Sequence, residues 1–436
     1  MLEPRRDTGI FQINPPTPYI HYLPSSAPRG RVLVIHGLDA SKEFMRIISA
    51  ALADGGFDVY DIDLPGHGDS PAGFEAQLAQ QAIRNAMNEI GGRDVIVLAH
   101  SLGAGLLLDL TAEQHFSTLV LLSPPPTPLA RILANRILVV SPSFDVPRIK
   151  AFAPILADIS EERLELWRIT WAAHSSALFN PAYVRRIVEW LGGDGRSTRT
   201  RARLVWISAM LISGVVLGIT LMPARDLKHG NAHIPTVLVR YVASCGMALF
   251  ILTIVIPLAW LRLFRTDYLV SFLFLTGLAL WFQKRTPLRI NSVTILKAAG
   301  AAIFVIIVLG VFAGSHMLHM ALSNGRWWRF PVIALAGLPL FIVDESTIRR
   351  IYPRWKSIVV AIVTRALLWA FLMTGVLLLN RSDAFLVLIA PLLVLFWILL
   401  WFASGVVHRH TQDPLATAVF AAIVQGWAFA AWFVTI

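Results

Sequence analysis

One serine in this chain stands where a hydroxyl could act as a nucleophile. Ser101 follows the apolar run Val95–Ala99 and opens a second apolar segment, so the pattern predicts a turn from a strand into a helix. At such a turn the hydroxyl projects outward while the helix N-terminus presents N–H groups to an anion. The turn needs small neighbours, and Ala99 and Gly103 fill those places. A helix-capping serine is the alternative interpretation.

A serine hydroxyl needs a base. The family resemblance described below implies that this histidine follows the serine, and two histidines in the first half of the chain do so, His115 and His174. His115 would lie about 20 Å away, at the far end of the helix that Ser101 begins, at 1.5 Å per residue. His174 follows the apolar run Leu166–Trp171 and is expected at the same sheet edge as Ser101. We therefore predict His174 as the base and later the acid, with a surface loop histidine as the alternative.

The base in turn needs a carboxylate to orient it. Asp109 falls inside the helix after Ser101, and Asp158 falls in a helical stretch. Asp145 instead comes a short turn after the apolar run Ile137–Val140, at the end of a predicted strand. We predict Asp145 as the orienting acid, and the alternative is a turn or capping residue.

Three motifs resemble the α/β-hydrolase superfamily, in particular its small esterase and lipase-like members, across residues 18–191. They are Ala99-His100-Ser101-Leu102-Gly103, His36-Gly37 after the run Val32–Ile35, and Asp63-Leu64-Pro65-Gly66-His67-Gly68-Asp69-Ser70. The resemblance implies an α/β hydrolase fold, the order serine, acid, histidine, and no cofactor. It also implies an oxyanion hole formed by the backbone N–H groups of Leu38 and Leu102.

Four further residues are expected to support this site: His36, Gly37, His100 and Gly103. The histidines are expected to shape loops through hydrogen bonds, because no pair of them has the spacing of a metal site. Cys245 is the only cysteine, which excludes a cysteine-based zinc cluster and an intramolecular disulfide. No metal is predicted.

The first half alternates short apolar runs with longer amphipathic segments, which is typical of a mostly parallel sheet flanked by helices. We expect an N-terminal extension over 1–17, the hydrolase domain over 18–193 and a basic linker over 194–203. The interval between two predicted strands, 123–136, is short, so no cap domain is predicted. The predicted strands are Tyr19–Leu23, Val32–Ile35, Val59–Ile62, Val95–Ala99, Leu119–Leu122, Ile137–Val140 and Leu166–Trp171.

The second half, 204–436, is predicted to form an all-α transmembrane bundle of about eight helices, with seven as the alternative. A helix needs about 20 apolar residues to cross a bilayer, and six of eight apolar segments are that long. Tyr268–Gln283 and Phe330–Val343 are short. The other six segments are Leu204–Met222, Val237–Leu261, Val293–Gly314, Ser357–Leu379, Ala384–Val407 and Leu415–Ile436.

Charge supports a membrane partner rather than a nucleic acid. Residues 1–203 hold 20 basic and 21 acidic groups, whereas 204–436 hold 18 basic and 6 acidic groups. The whole positive excess therefore lies in the apolar half, where basic residues flanking spans are expected. We expect a multi-pass protein of a bacterial plasma or inner membrane, with the lipid bilayer as its partner and no nucleic acid.

The side of the membrane is less clearly indicated. Six arginines between Arg185 and Arg203, and the absence of a signal-peptide pattern near Met1, favour a cytosolic hydrolase domain. With eight spans, however, the basic loops at 284–289 and 349–356 would face outward. A re-entrant short segment or an external hydrolase domain would remove this conflict.

Ionisable residues within the apolar half are functional hypotheses by default. Arg365 lies deep in a segment and could pair with an acid or contact a lipid phosphate. Asp344, Glu345 and Arg349 resemble the first motif of CAAX-type intramembrane proteases, with aspartate in the first position. A charge cluster at a helix end is the alternative for these three residues.

The leading hypothesis is a membrane-anchored serine hydrolase that cleaves an amphipathic acyl ester or thioester through an acyl-enzyme. A non-enzymatic membrane sensor or carrier that retains the fold, and a membrane acyltransferase, are the alternatives.

Overall fold

The computed structural model describes residues 3–129, 131–160, 163–220, 233–255, 261–263, 267–284, 290–312, 314, 318–323, 325–379 and 386–436. The chain forms two compact units. Unit 1 comprises Met1–Leu211, Val311–Asn324 and Val434–Ile436, and unit 2 comprises Ile212–Gly310 and Gly325–Phe433. Unit 1 is thus assembled from three separate stretches of the chain.

Unit 1 is built on an eight-stranded sheet in the order β1-β2-β4-β3-β5-β6-β7-β8. Strands β3 to β8 pair in parallel, while β1 and β2 add an antiparallel edge. The strands are β1 Arg5–Phe11, β2 Thr17–Leu23, β3 Arg31–Ile35, β4 Asp58–Ile62, β5 Ile96–His100, β6 Phe116–Leu122, β7 Ala134–Pro142 and β8 Leu164–Ile169. Each of the seven predicted strands corresponds to one of β2 to β8. Strand β1 lies in the stretch that we expected to precede the domain.

Helices cover both faces of this sheet, which explains why its central strands are continuously apolar. Helices α1, α5 and α6 share one core with side chains of β3 such as Val32 and Val34. Helices α2 and α3 contact β3 and β5, on the face to which Leu33 and Ile35 point. The helices are α1 Lys42–Asp54, α2 Ala76–Ile90, α3 Leu102–Leu110, α4 Pro147–Ser160, α5 Ser176–Phe179 and α6 Pro181–Trp190.

The connections of unit 1 bear on two sequence predictions. In the β6–β7 connection, residues 123–133, the described residues form no helix or strand. The basic stretch 194–203 contains a short turn, Gly195–Ser197, and the start of helix α7, Thr200–Thr220. It is not a solvated linker at its end, because the buried Arg203 Nη2 donates to Asp54 Oδ2 at 2.7 Å.

Most of the described residues in the apolar half are helical. Its helices are α8 Ile234–Phe250, α9 Asp267–Lys284, α10 Ser292–Phe312, α11 Arg326–Val343, α12 Arg354–Thr374, α13 Leu386–Thr411 and α14 Pro414–Trp432. π-Helical turns extend α8, α11 and α12 at Ile251–Val255, Asp344–Ile348 and Gly375–Leu379. Helices α11 and α14 pack against each other and are mostly buried.

Six described helices are long and apolar enough to cross a membrane, so the predicted number of eight is not confirmed. The segment Phe330–Val343, expected to be short, belongs to a 23-residue span, Arg326–Ile348. Helix α9 is apolar but short, as predicted. Helix α7 is not among the six, and residues 221 and 222 of its predicted segment lie outside the described residues. The six are Ile234–Thr253, Ser292–Val311, Arg326–Ile348, Arg354–Leu379, Leu386–Thr411 and Pro414–Trp432.

Candidate active site

Ser101 sits at the junction of β5 and α3 in a strained backbone conformation, with φ 50° and ψ −116°. Such a conformation is uncommon outside glycine and persists only where neighbours enforce it. The Ser101 N–H donates to Leu122 O at 2.9 Å, which ties the turn to β6. A Cβ added at Gly103 would lie 2.6 Å from His36 O, so a side chain there would push α3 off β3. The turn therefore requires glycine at 103.

Ser101, His174 and Asp145 form a continuous hydrogen-bonded series. The distance from Ser101 Oγ to His174 Nε2 is 2.8 Å, and from His174 Nδ1 to Asp145 Oδ1 it is also 2.8 Å. An ionised carboxylate only accepts hydrogen bonds, so Nδ1 carries the imidazole proton and Nε2 accepts from the hydroxyl. In this tautomer His174 can take the proton of Ser101.

Two loops at the carboxyl ends of the strands hold His174 and Asp145. The Ser143 N–H donates to Ile169 O at 2.8 Å, which joins the loop after β7 to the end of β8. Asp145 is buried, and its Oδ1 also accepts the Val146 N–H at 2.7 Å. Ser123, at the end of β6, donates its hydroxyl to His174 O at 2.8 Å. Sequence reasoning missed Ser123, because its role depends on a contact between distant loops.

The two residues expected to form the oxyanion hole lie in segments that converge on Ser101. Leu102 is the first residue of α3, where a backbone N–H has no acceptor within the helix. Leu38 follows Gly37, and a Cβ added at Gly37 would lie 3.0 Å from Ser101 Cβ. The loop that carries Leu38 therefore runs directly beside the serine.

His36 and His100 are buried and support these loops from within. Leu64 N–H donates to His36 Nε2 at 3.0 Å, so His36 is neutral and its Nδ1–H donates to Gly37 O at 2.7 Å. Burial lowers the pKa of His36, although nearby Asp63 opposes the shift. Burial likewise holds the pKa of His100 well below its usual value, with the neighbouring His174 adding to the effect.

Comparison with known proteins agrees with this architecture. Residues 30–184 match the family model for the alpha/beta hydrolase fold. This part of the chain has the α/β-hydrolase fold. The resemblance stated from the sequence motifs is thereby confirmed, and six membrane-length helices follow the α/β-hydrolase domain. A search of curated proteins finds no match.

Several solved structures are similar to the α/β-hydrolase domain. A predicted CIB-like hydrolase from Thermoplasma acidophilum is 17% identical and covers 43% of this chain and 98% of its own, with a TM-score of 0.39. A monoacylglycerol lipase from Paleococcus ferrophilus is 17% identical over 42% and 98%, with a TM-score of 0.36. The carboxylesterase CesB from Bacillus subtilis is 14% identical over 44% and 93%, also with a TM-score of 0.36.

A buried charge cluster in the same unit was missed at the sequence level. Lys42 Nζ, at the start of α1, lies 2.5 Å from Asp63 Oδ2, 2.6 Å from Asp69 Oδ2 and 3.1 Å from Glu43 Oε1. Burial alone would lower the pKa of Lys42, but the three carboxylates together raise it above its usual value. His319 lies 3.7 Å from both Glu43 and Asp69. Glu43, Asp69 and His319 lie close enough together to ligate a metal, and the Lys42 ammonium compensates part of the negative charge of this cluster.

The acidic residues singled out in the apolar half are buried and paired within unit 2. Asp344 accepts hydrogen bonds from Tyr241 and Arg365, so Arg365 meets one of its two expected partners, an acid. Both carboxylate oxygens of Glu345 accept from Arg349, at 2.5 and 2.9 Å, and His408 lies 3.4 Å away. Because each acid has its own arginine, these contacts favour a structural ion-pair cluster over a free carboxylate for peptide hydrolysis.

Proposed function

We propose that the chain is a membrane-embedded serine hydrolase that cleaves carboxylic esters or thioesters through an acyl-enzyme intermediate. The observation that carries this proposal is the hydrogen-bonded series from Ser101 through His174 to the buried Asp145. A histidine that only filled a loop would not need hydrogen bonds from both ring nitrogens to a strained serine and a buried carboxylate.

In this mechanism Ser101 Oγ attacks the acyl carbon while His174 Nε2 takes the hydroxyl proton. The oxyanion of the tetrahedral intermediate accepts hydrogen bonds from the Leu38 and Leu102 N–H groups, and the Asp145 carboxylate stabilises the imidazolium. The intermediate expels the alcohol or thiol, which receives the proton from His174. Water then attacks the acyl-enzyme with His174 as base, and collapse releases the carboxylic acid and restores Ser101.

Two exposed aromatic residues beside the triad support an amphipathic acyl substrate. Phe144 immediately precedes Asp145 and is 63% exposed, and Trp171, three residues before His174, is 87% exposed. Their ring centroids are 5.6 Å apart in an edge-to-face arrangement, and the Phe144 N–H donates to Ala172 O at 2.9 Å. Trp171 keeps this position with a positive φ of 55°. Contact with an acyl chain would remove the apolar surface of these rings from water, which is favourable.

The second half supports the membrane part of the proposal. Six helices of 19 to 26 residues have the length and composition to cross a bilayer. We place the protein in a bacterial plasma or inner membrane, with the hydrolase domain on the cytosolic side because of the arginines near 185–203. Cysteine-accessibility labelling of a residue introduced near Gly195 tests that side, and labelling by an impermeant reagent from outside would reverse it.

Labelling with a fluorophosphonate probe tests the serine chemistry most directly. We expect the full chain in detergent to be labelled and Ser101→Ala to be unlabelled, because only an activated serine reacts with the probe. Two further variants test the proposed base. His174→Asn is expected to lose labelling, and its control, His115→Asn, is expected to retain it. Equal labelling of wild type and Ser101→Ala would refute the proposed function.

A further inference from the structure

We propose that Asp39 and the segment Val434–Ile436 form a clamp that positions the Leu38 N–H for oxyanion binding. Asp39 is therefore a positioning residue, and its partner Val434 lies 395 residues later in the chain. This inference rests on the proposed function, because it assigns a role to the loop that would supply one of the two oxyanion donors.

Asp39 follows Leu38 directly and has a φ of 52°, in the left-handed region. A non-glycine residue there persists when surrounding contacts enforce it. The Asp39 Oδ1 atom accepts the Val434 N–H at 3.0 Å, and this contact joins residues separated by 395 positions. The carboxylate therefore fixes the strained residue beside the predicted oxyanion donor.

The segment that holds Asp39 is itself held on the α/β-hydrolase domain. The Thr435 N–H donates to Gly66 O at 3.0 Å, and the Phe74 N–H donates to Thr435 O at 2.8 Å. Val434 is fully buried. A Cβ added at Gly66 would lie 2.4 Å from Thr435 O, so the domain surface fits this segment closely. The segment is thus a fixed part of unit 1 rather than a loose end.

The other side of the Leu38 peptide is held by His36. The Gly37 carbonyl and the Leu38 N–H belong to one planar trans peptide, so they point in opposite directions. His36 Nδ1 donates to Gly37 O at 2.7 Å, which turns the Leu38 N–H away from His36. With His36 on one side and Asp39 on the other, the direction of this N–H is set before substrate binds.

A preorganised donor contributes to the transition state and little to substrate binding. Complete loss of one oxyanion donor costs about 10²- to 10³-fold in kcat. Loosening the loop without removing the N–H should cost less, about 10- to 100-fold in kcat, with KM changed by less than about twofold.

The test uses the full chain in detergent and a short-chain p-nitrophenyl ester. Asp39→Leu removes the acceptor, and Val434→Pro removes the donor. A proline requires an extended backbone at the residue before it. Phe433 already meets this requirement, with φ −77° and ψ 144°. Asp39→Asn keeps an acceptor oxygen, and Ile155→Ala changes an exposed side chain of α4 that lies outside the clamp. We expect a lower kcat in the first two variants and near-normal kcat in the other two.

A second measurement separates positioning from general instability. Affinity for a boronic acid, which forms a tetrahedral adduct on the serine, should fall in Asp39→Leu and Val434→Pro, and Asp39→Asn should rescue it. The double variant Asp39→Leu/Val434→Pro should lose less than the sum of the two single losses, because both variants break the hydrogen bond between Asp39 and Val434. If wild type is active and both disruptive variants keep its kcat and boronate affinity, the clamp is refuted and the proposed function stands. If Ser101→Ala hydrolyses the ester as fast as wild type, the proposed function itself fails.

Discussion

At the scale of single residues, the proposed mechanism gives separate roles to three side chains. The charge that would develop on His174 would be compensated by the buried Asp145 carboxylate, and Ser101, the proposed nucleophile, is held in a conformation that few residues adopt. We expect Ser101→Ala and His174→Asn to lose about 10⁶-fold in kcat, and Asp145→Asn about 10⁴-fold, in proportion to losses known for serine hydrolases. Ester hydrolysis by the purified full chain measures these losses, with His115→Asn as the control. A loss in Asp145→Asn below tenfold would contradict its assignment.

The buried histidines predict how stability changes with pH. Burial keeps the pKa of His100 well below its usual value. Below the usual pKa, His100 is therefore protonated in the unfolded chain and remains neutral in the folded chain. Stability is therefore complete above the unfolded pKa of about 6.5 and is lost as the pH falls below it, by about 1.4 kcal/mol per pH unit for each such histidine. His100→Gln should reduce this slope by the contribution of one histidine, about 1.4 kcal/mol per pH unit. Urea unfolding between pH 5 and 7 measures the slope, and an identical slope in wild type and His100→Gln would contradict this prediction.

At the scale of elements, the start of α1 depends on a buried cation. Lys42 is surrounded by Asp63, Asp69 and Glu43, and its side chain is 4% exposed. Lys42→Met would leave the fully buried Asp63 carboxylate without its cation, so we expect a loss of about 3–5 kcal/mol in the free energy of unfolding. Lys150→Met, on the exposed face of α4, should cost less than about 0.5 kcal/mol. Urea unfolding compares the two, and equal losses would show that the cluster is not stabilising.

The elements also show what the sequence could and could not predict. Strands β3 to β7 were predictable because burial on both faces leaves a continuous apolar run. Strand β1, which begins Arg5-Arg6-Asp7, is an exposed edge strand with one antiparallel partner, so it has no such run. The predicted apolar segment Phe330–Val343 ends where helix α11 ends, but the helical chain continues through the π-helical turn Asp344–Ile348. It continues because arginines from α12 and from its own next turn neutralise Asp344 and Glu345.

The Asp344–Arg365 pair links α11 to α12 and predicts a specific pattern of stability. Arg365→Met would leave the buried Asp344 carboxylate without a cation, and Asp344→Leu would leave the guanidinium without an anion, so each should lower the melting temperature of the full chain in detergent. The double variant should recover much of the loss, with a coupling of about 1–3 kcal/mol. Arg354→Met, at the exposed start of α12, is the control. Additive losses would show that the two side chains do not stabilise each other.

At the scale of the whole molecule, composition divides the chain at about residue 203, but the compact units do not follow that division. Sequence patterns reveal local periodicity, so they identified an α/β-hydrolase domain over 18–193 and an apolar half after it. They carry no information on contacts between residues hundreds of positions apart. Unit 1 includes Val311–Asn324 and Val434–Ile436, whose hydrogen bonds reach Gly68 and Asp39. The compact unit that contains the predicted domain therefore also includes residues from later parts of the chain.

This composition of unit 1 predicts that residues 1–211 expressed alone are a poorer enzyme than the full chain. The fragment keeps the sheet and Ser101, His174 and Asp145, so it should still react with a fluorophosphonate. It lacks the Val434 donor to Asp39, so its kcat for a short-chain p-nitrophenyl ester should fall at least tenfold, as in Asp39→Leu. Adding Asp39→Leu to the fragment should change kcat little, because the contact is already absent. A fragment as active as the full chain would show that the triad and its loops are preorganised by residues 1–211 alone.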